Sequence, residues 1–301
     1  MTSVDWNDLS FFLVVARTGR LTSASRRLSV DHATVSRRIH ALELALNTRL
    51  FERSPRGYSL TEAGERLLVH AEQIENAMER MQSDIAGENV TLRGVVRIGA
   101  PDGFGSHFLA PRLGQLCHRF PELDLQIVVL PRIFNVSKRE ADIAIALARP
   151  TEGRLIARKL TDYQLGLYAT RAYLASHDPI ERTADLASHL LIGYIRDLIF
   201  APELDYLPQV SPLASARLSS SSLVAQLQAA RSDAGVCVLP YFMAAVDPTL
   251  VRVLPSQIEL VRSFWLIMHS DLRAAHRVRA VADFVVEQVN ACRAEFLPRP
   301  P

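Results

Sequence analysis

The chain has 301 residues, 49% apolar and 22% charged, enough for two or three folding units with a sizeable core. Thirteen Gly and sixteen Pro, scattered along the chain, exclude a fibrous or low-complexity protein. A net charge of +2 hides an asymmetry: residues 1–60 hold nine Arg against five acids, so a basic end precedes a large, nearly neutral body.

The first apolar run, Leu9–Ala16, follows Asp5 and Asp8 rather than a basic segment and is far shorter than the ~20 residues that span a bilayer. No signal peptide, transmembrane helix or membrane partner is expected. Cys117, Cys237 and Cys292 lie too far apart for a metal-ligand pattern, which suits a reduced, cytoplasmic protein with buried thiols.

Leu9, Phe12, Leu13 and Ala16 recur at helical spacing up to Gly19, a C-terminal stop. A second helix fits Ser23–Leu28 with Thr22 as its cap. Asp31 can cap a third, whose apolar stripe is Val35, Ile39, Leu42 and Leu46 and whose stop is Asn47. The tight turn Ser29–Asp31 makes the pair a helix-turn-helix, with the later helix suited to the major groove. His32, Ala33, Thr34, Ser36, Arg37 and Arg38 lie on its first two turns, and Thr22 and Ser23 begin the preceding helix. Arg forks fit guanine or phosphate, and short polar side chains fit base edges or backbone. A solvated basic face on an ordinary three-helix domain is the plainer alternative. Leu50–Phe51, the turn at Pro55–Gly57, and Arg53 and Arg56 then read as a small β-wing touching phosphates.

Val35-Ser36-Arg37, Ile39, Leu42-Glu43, Leu50-Phe51, Arg53, Leu60-Thr61 and Ala63-Gly64 together resemble the winged helix-turn-helix of LysR-type transcriptional regulators. His32 and Ala33 stand where Gln and Pro are usual, which bears on the preferred bases rather than on docking. The resemblance implies a double-stranded DNA partner, with Ser36, Arg37 and His32 on bases and Thr34, Arg38, Arg53 and Arg56 mainly on phosphates.

From Thr61, a good N-cap, a polar helix runs to about Ala86. Leu67, Ala71, Ile74, Met78, Met81 and Ile85 follow the spacing of a heptad seam. Two readings stand: a helix lying on its own domain, or a seam pairing two copies. The resemblance favours pairing, as a homodimer or homotetramer reading an inverted repeat, and leaves RNA polymerase open as a further partner.

Beyond residue 89, short β-rich runs alternate with helices. The expected strands are Val95–Ala100, Leu125–Leu130, Asp142–Leu147, Leu155–Leu160, Gln164–Ala169, Leu190–Tyr194, Gly235–Leu239 and Ser263–His269. The expected helices are Phe108–Arg119, Ala172–Ser176, Leu223–Arg231 and His276–Asn290. Alternation favours a largely parallel, covered sheet. The body is similar to the LysR regulatory domain, a two-lobed α/β fold like that of type 2 periplasmic binding proteins. This divides the chain into a winged helix-turn-helix (1–60), a linker helix (61–88) and an effector-binding body (89–301). The resemblance implies two lobes joined by two crossing strands, one near Leu160–Leu165 and one near Leu266–Met268, with lobe one at roughly 91–161 plus 268–297 and lobe two at roughly 162–267.

A small-molecule effector belongs in the inter-lobe cleft, at strand ends. Ala100, Pro101, Asp102, Gly103 and Phe104 follow the first strand; Arg132 follows the second; Tyr194 ends a later one. Ser219, Ser220 and Ser221 precede the Leu223 helix, where hydroxyls and free amides suit an anion, or where the serines form only a cap and polar turn. Arg132 is either an effector contact or a surface residue. Asp102 beside an anion site would repel a carboxylate, which argues against a simple organic-acid effector.

No metal pattern, Walker loop, dinucleotide fingerprint or nucleophile elbow occurs, and Cys237 sits in an apolar strand. Neither an enzyme nor a cofactor is expected. The rival to a DNA-binding regulator is a cytoplasmic sensor module without control of DNA, for which Ser36, Arg37 and the wing arginines would have no use.

Overall fold

The computed structural model describes residues 4–54, 57–86, 92–129, 140–151, 154–212, 214–270, 272 and 275–297, without the side chains of Asn76, Glu79, Arg80 and 82–86. Arg56, Arg132 and the side chain of Ile85 therefore lie outside the described residues. The chain divides into two compact units, Met1–Val90 and Thr91–Pro301.

The first unit holds α1 (Trp6–Thr18), α2 (Leu21–Leu28), α3 (His32–Leu46), β1 (Phe51–Ser54), β2 (Gly57–Leu60) and α4 (Glu62–Ala86). Gly19 ends α1 in the left-handed conformation, and Asn47 does the same for α3. Asp31 caps α3 by accepting from the Thr34 amide at 2.6 Å. That bond holds the Asp31 carboxyl below its usual range. The second helix departs from expectation: it starts at Leu21, its N-cap position is Arg20, and Thr22 is an exposed residue inside it rather than a cap. Leu21 is buried, so core packing sets where this helix begins.

Phe12, Leu13, Val15, Val35, Ile39, Leu42, Leu50 and Phe51 form the core of this unit, joined by Ala71 of α4 and flanked by Leu67. The core thus runs past residue 60 into the long helix. Thr61 caps α4 by accepting from the Gly64 amide at 3.0 Å. Arg17, near the end of α1, reaches Glu75 of α4 with a bidentate pair at 2.6 and 3.0 Å.

The second unit is built on one nine-stranded sheet. Its strands are β3 (Gly94–Ala100), β4 (Leu123–Val129), β5 (Ile143–Ala146), β6 (Leu155–Thr170), β7 (Leu191–Gly193), β8 (Leu218–Ser219), β9 (Val236–Pro240), β10 (Leu250–Val253) and β11 (Leu260–His269). The order is β4-β3-β5-β11-β6-β9-β7-β8, with β10 also on β6. The helices are α5 (Ala110–Arg119), α6 (Arg171–Ser176), α7 (Leu207–Val210), α8 (Leu223–Arg231), α9 (Tyr241–Ala244), α10 (His276–Ala291) and α11 (Arg293–Phe296). A π-helical segment, Phe104–Leu109, leads into α5, so this helical region starts earlier than the Phe108 expected.

The sheet is mixed rather than largely parallel. Parallel pairs lie in its outer parts (β3 with β4 and β5; β7 with β8 and β9), whereas β6 and β11 run antiparallel through the middle. The segments expected as two strands, 155–160 and 164–169, are one strand. Asp162 does not break it, because its carboxylate lies half-exposed beside Lys159 and Ser263. β11 shifts register between Phe264 and Trp265. Residues Leu260–Phe264 pair only with the later part of β6, whereas Trp265–Met268 also pair with β5. β11 thus joins the two groups of strands, and it contains the crossing segment expected near Leu266–Met268.

Candidate DNA interface and ligand cleft

The α3 of the first unit presents two faces. Val35, Ile39 and Leu42 are buried, while His32, Ala33 and Arg37 are exposed and Ser36 is half-buried. Thr22 and Ser23 are exposed on α2, and Arg53 is exposed on β1 with its guanidinium 5.5 Å from the Tyr58 ring centre. Two expected contacts have other partners. Arg38 turns back onto α1, donating to the nearly buried Asp8 at 3.1 Å, which ties the helices together rather than offering a free fork. The Thr34 hydroxyl donates to Asp31 at 2.8 Å and so belongs to the cap.

Glu43 has a role that the sequence did not reveal. Its Oε1 accepts from the amides of Leu50 and Phe51, at 2.8 and 3.3 Å, and so staples the end of α3 to the first wing strand. The β2 strand is tied to α1 in the same way, through the Tyr58 amide and the Gly19 carbonyl at 2.8 Å. Gly57 lies so close to that carbonyl that a Cβ would sit 2.3 Å from it.

The heptad seam on α4 divides in two. Ala71 is fully buried in its own unit and Leu67 packs there, so both serve the head's core rather than a free seam. Ile74 is 42% exposed and Met81 48%, with Met78 half-buried between them.

In the second unit, a cleft at the lobe junction is lined by Pro101, Asp102, Gly103, Phe104, Tyr194 and Ser221, all expected there. Ala100 is buried at the end of β3, and Ser219 and Ser220 lie outside the cleft lining. Sequence reasoning missed Tyr163, Tyr206, Phe242 and Phe264, which line it from four separate segments. A larger cavity of about 230 Å³ lies within lobe two and shares Tyr194, Leu204 and Tyr206 with the cleft. The serine run resolves as a cap: Ser222 accepts from the Ala225 amide at 3.1 Å, and Ser220 accepts from the Ser222 amide at 3.1 Å. The head of α8 nevertheless holds an anion, the carboxylate of Asp102. Its Oδ2 accepts from the Ser222 hydroxyl at 2.6 Å and from the Val224 amide at 3.1 Å. Burial keeps the phenols of Tyr163 and Tyr194 protonated well above their usual range, and burial pushes the Cys237 thiol up too. Such a thiol is a packing group, not a nucleophile. Burial likewise pulls the His107 imidazole down. Among the described residues, no cluster of His, Cys, Asp and Glu is arranged to hold a metal, and no helix is long and apolar enough to cross a membrane.

Comparison with known proteins places both units. The family model of the bacterial regulatory helix-turn-helix protein, lysR family, matches residues 6–65, and that of the LysR substrate binding domain matches residues 90–290. The transcriptional activator TtdR of Escherichia coli K12 is 28% identical over 92% of this chain and 91% of its own length. The regulator CrgA of Neisseria meningitidis is 26% identical over 95% of this chain and 98% of its own. The solved structure of CrgA superposes with a TM-score of 0.61 at 25% identity, covering 95% of this chain and 99% of that one. OxyR of Pseudomonas aeruginosa shares the fold with a TM-score of 0.69 at 20% identity, over 96% and 99% of the two chains. The helix-turn-helix match removes the rival reading of a sensor module that leaves DNA alone. With both of its units matched, the chain belongs to the LysR family and is a LysR-type transcriptional regulator.

Proposed function

We propose that this regulator holds its operator through His32, Ala33, Ser36 and Arg37 in the major groove, with Thr22, Ser23, Arg53 and Arg56 along the phosphates. One observation carries the reading: the outward row on the first two turns of α3, stapled from behind by Asp31, Arg38 and Glu43. A bidentate Arg37 would contribute discrimination of about 1–3 kcal/mol, roughly 5- to 150-fold. Arg37→Ala is expected to lose that factor for operator DNA while keeping its affinity for random DNA, read by mobility shift across a salt series. Equal loss on both DNAs would make Arg37 a phosphate clamp instead.

Two copies pair through the later part of the α4 stripe, the exposed Ile74 and Met81 with the half-buried Met78 between them and Ile85 further along the sequence. The pairing offers two α3 helices to two half-sites. Ile74→Glu with Met81→Glu is expected to lower the solution mass by light scattering and weaken operator binding tenfold or more. Unchanged mass and binding would remove this stripe from the interface. A small-molecule effector sits between the lobes and acts through its differing affinity for two lobe arrangements. The protein works in the cytoplasm, and RNA polymerase is the further partner such a complex meets at a promoter.

A further inference from the structure

We propose that Asp102 makes the inter-lobe cleft refuse carboxylates by seating its own carboxylate where a bound acid would lie. The regulator then answers to an uncharged or amine-bearing molecule. This inference rests on the cleft being the effector site.

The cavity's composition carries it first. Among the described residues that line the cleft, none is Arg, Lys or His; Asp102 is the sole carboxylate in a wall of apolar and aromatic side chains. The buried phenols there supply hydroxyls without charge. An acid entering this space meets a like charge and no cation among the residues lining it.

Geometry carries it second. Asp102 follows β3 in lobe one, yet its Oδ2 takes two donors from the start of α8 in lobe two, the Ser222 hydroxyl and the Val224 amide. Because the Ser222 oxygen already accepts from the Ala225 amide, its proton is left to point at Asp102. Oδ1 lies 3.4 Å from the Ser106 hydroxyl. The adjacent Gly103 is pressed against lobe two so closely that a Cβ would lie 2.7 Å from the Met243 sulfur and 2.8 Å from Leu223. With this carboxylate in place the cleft encloses only about 20 Å³, room for about one water. The seat is filled by the protein's own carboxylate.

Acetate is close in size and charge to the side chain that Asp102→Ala deletes, so it serves as the probe, with benzoate as a ring-bearing acid. The full-length chain is followed by calorimetric unfolding at constant ionic strength. Wild type is expected to show no saturable rise in midpoint with either anion. Asp102→Ala, which keeps the Ser222 cap on α8, is expected to rise saturably with both, as mass action on the folded state requires. Its benzoate affinity should exceed that of wild type at least tenfold. Asp102→Asn retains an acceptor oxygen and is expected to stay unresponsive. Stabilisation of wild type by benzoate as strong as that of Asp102→Ala overturns the proposal, and so does an Asp102→Ala protein indifferent to both anions. Adding Leu223→Trp to Asp102→Ala fills the cleft and is expected to abolish the response. An acetate shift that survives it places the anion elsewhere and overturns the cleft as the site. Benzoate binding to wild type that Leu223→Trp removes would leave the cleft standing and overturn only the role of Asp102.

Discussion

Phe264→Ala should destabilise the regulatory unit by about 3–5 kcal/mol, the range for removing a fully packed aromatic side chain. The ring is 2% exposed, stacks on Tyr163 at 4.1 Å between centroids and lies 4.7 Å from Phe104. Phe242 and Phe296 complete the cluster at 6.1 and 6.4 Å. These rings come from the π-helical segment after β3, from β6 and β11, and from α9 and α11, so no single element can collapse into the void. The position is also where β11 changes register, and a smaller side chain would loosen that irregularity. The chain has two tryptophans, Trp6 and Trp265. In a Trp6→Phe background, Trp265 alone reports urea unfolding of this unit. Val246→Ala, at a 73% exposed site, is the control and should stay within about 0.5 kcal/mol. A loss for Phe264→Ala no larger than that control's would mean the cluster contributes little.

Gly64→Ala should be the most damaging change in the DNA-binding head, at about 3 kcal/mol, the upper end for overpacking a closed site. A Cβ there would lie 2.1 Å from the Leu50 carbonyl oxygen and 2.9 Å from the Leu60 side chain. The obstacle is backbone, and that same oxygen accepts from the Thr61 amide at 3.0 Å, so the first turn of α4 and β1 must part. A domain with only about 5–15 kcal/mol in hand loses much of its margin. With Trp265→Phe leaving Trp6 as the reporter, the head's unfolding midpoint in urea should fall, while in the Trp6→Phe background the regulatory unit's transition, read by Trp265, stays put. An unchanged head midpoint would show that α4 can shift at no cost.

The contrast between these sites explains what the sequence could disclose. In the head, stops and caps are local: Gly19, Asp31 and Asn47 act within a few residues, and their chemistry is visible in the chain. Thr22 misled because a cap residue is recognisable only relative to a helix start, and burial of Leu21 moved that start. Glu43 stood out only as part of the Leu42-Glu43 motif, and its bonding role stayed unread because its amide partners lie seven and eight residues on, beyond the helix. In the body, alternation of strand and helix gave the α/β class. β6 runs unbroken from Leu155 to Thr170 through the crossing segment expected near Leu160–Leu165, and the antiparallel middle of the sheet depends on pairings between distant segments. The cleft follows the same rule. Turns directly after strands pointed to Pro101–Phe104, whereas Tyr163, Tyr206, Phe242 and Phe264 meet only once the chain is folded. Leu67 and Ala71 fit the heptad spacing as well as Met81 does, because periodicity records an apolar face without naming what covers it.

The staples behind α3 make the head re-addressable. Asp31, Arg38, Glu43 and Asn47 fix the helix to its cap, to α1 and to the wing, and none of these bonds uses His32, Ala33, Ser36 or Arg37. On the proposed reading of the operator, the address is written on side chains that these bonds do not use. On that reading, drift at the exposed positions His32, Ala33 and Arg37 between duplicated copies would redirect a regulator without first breaking the bonds that hold α3.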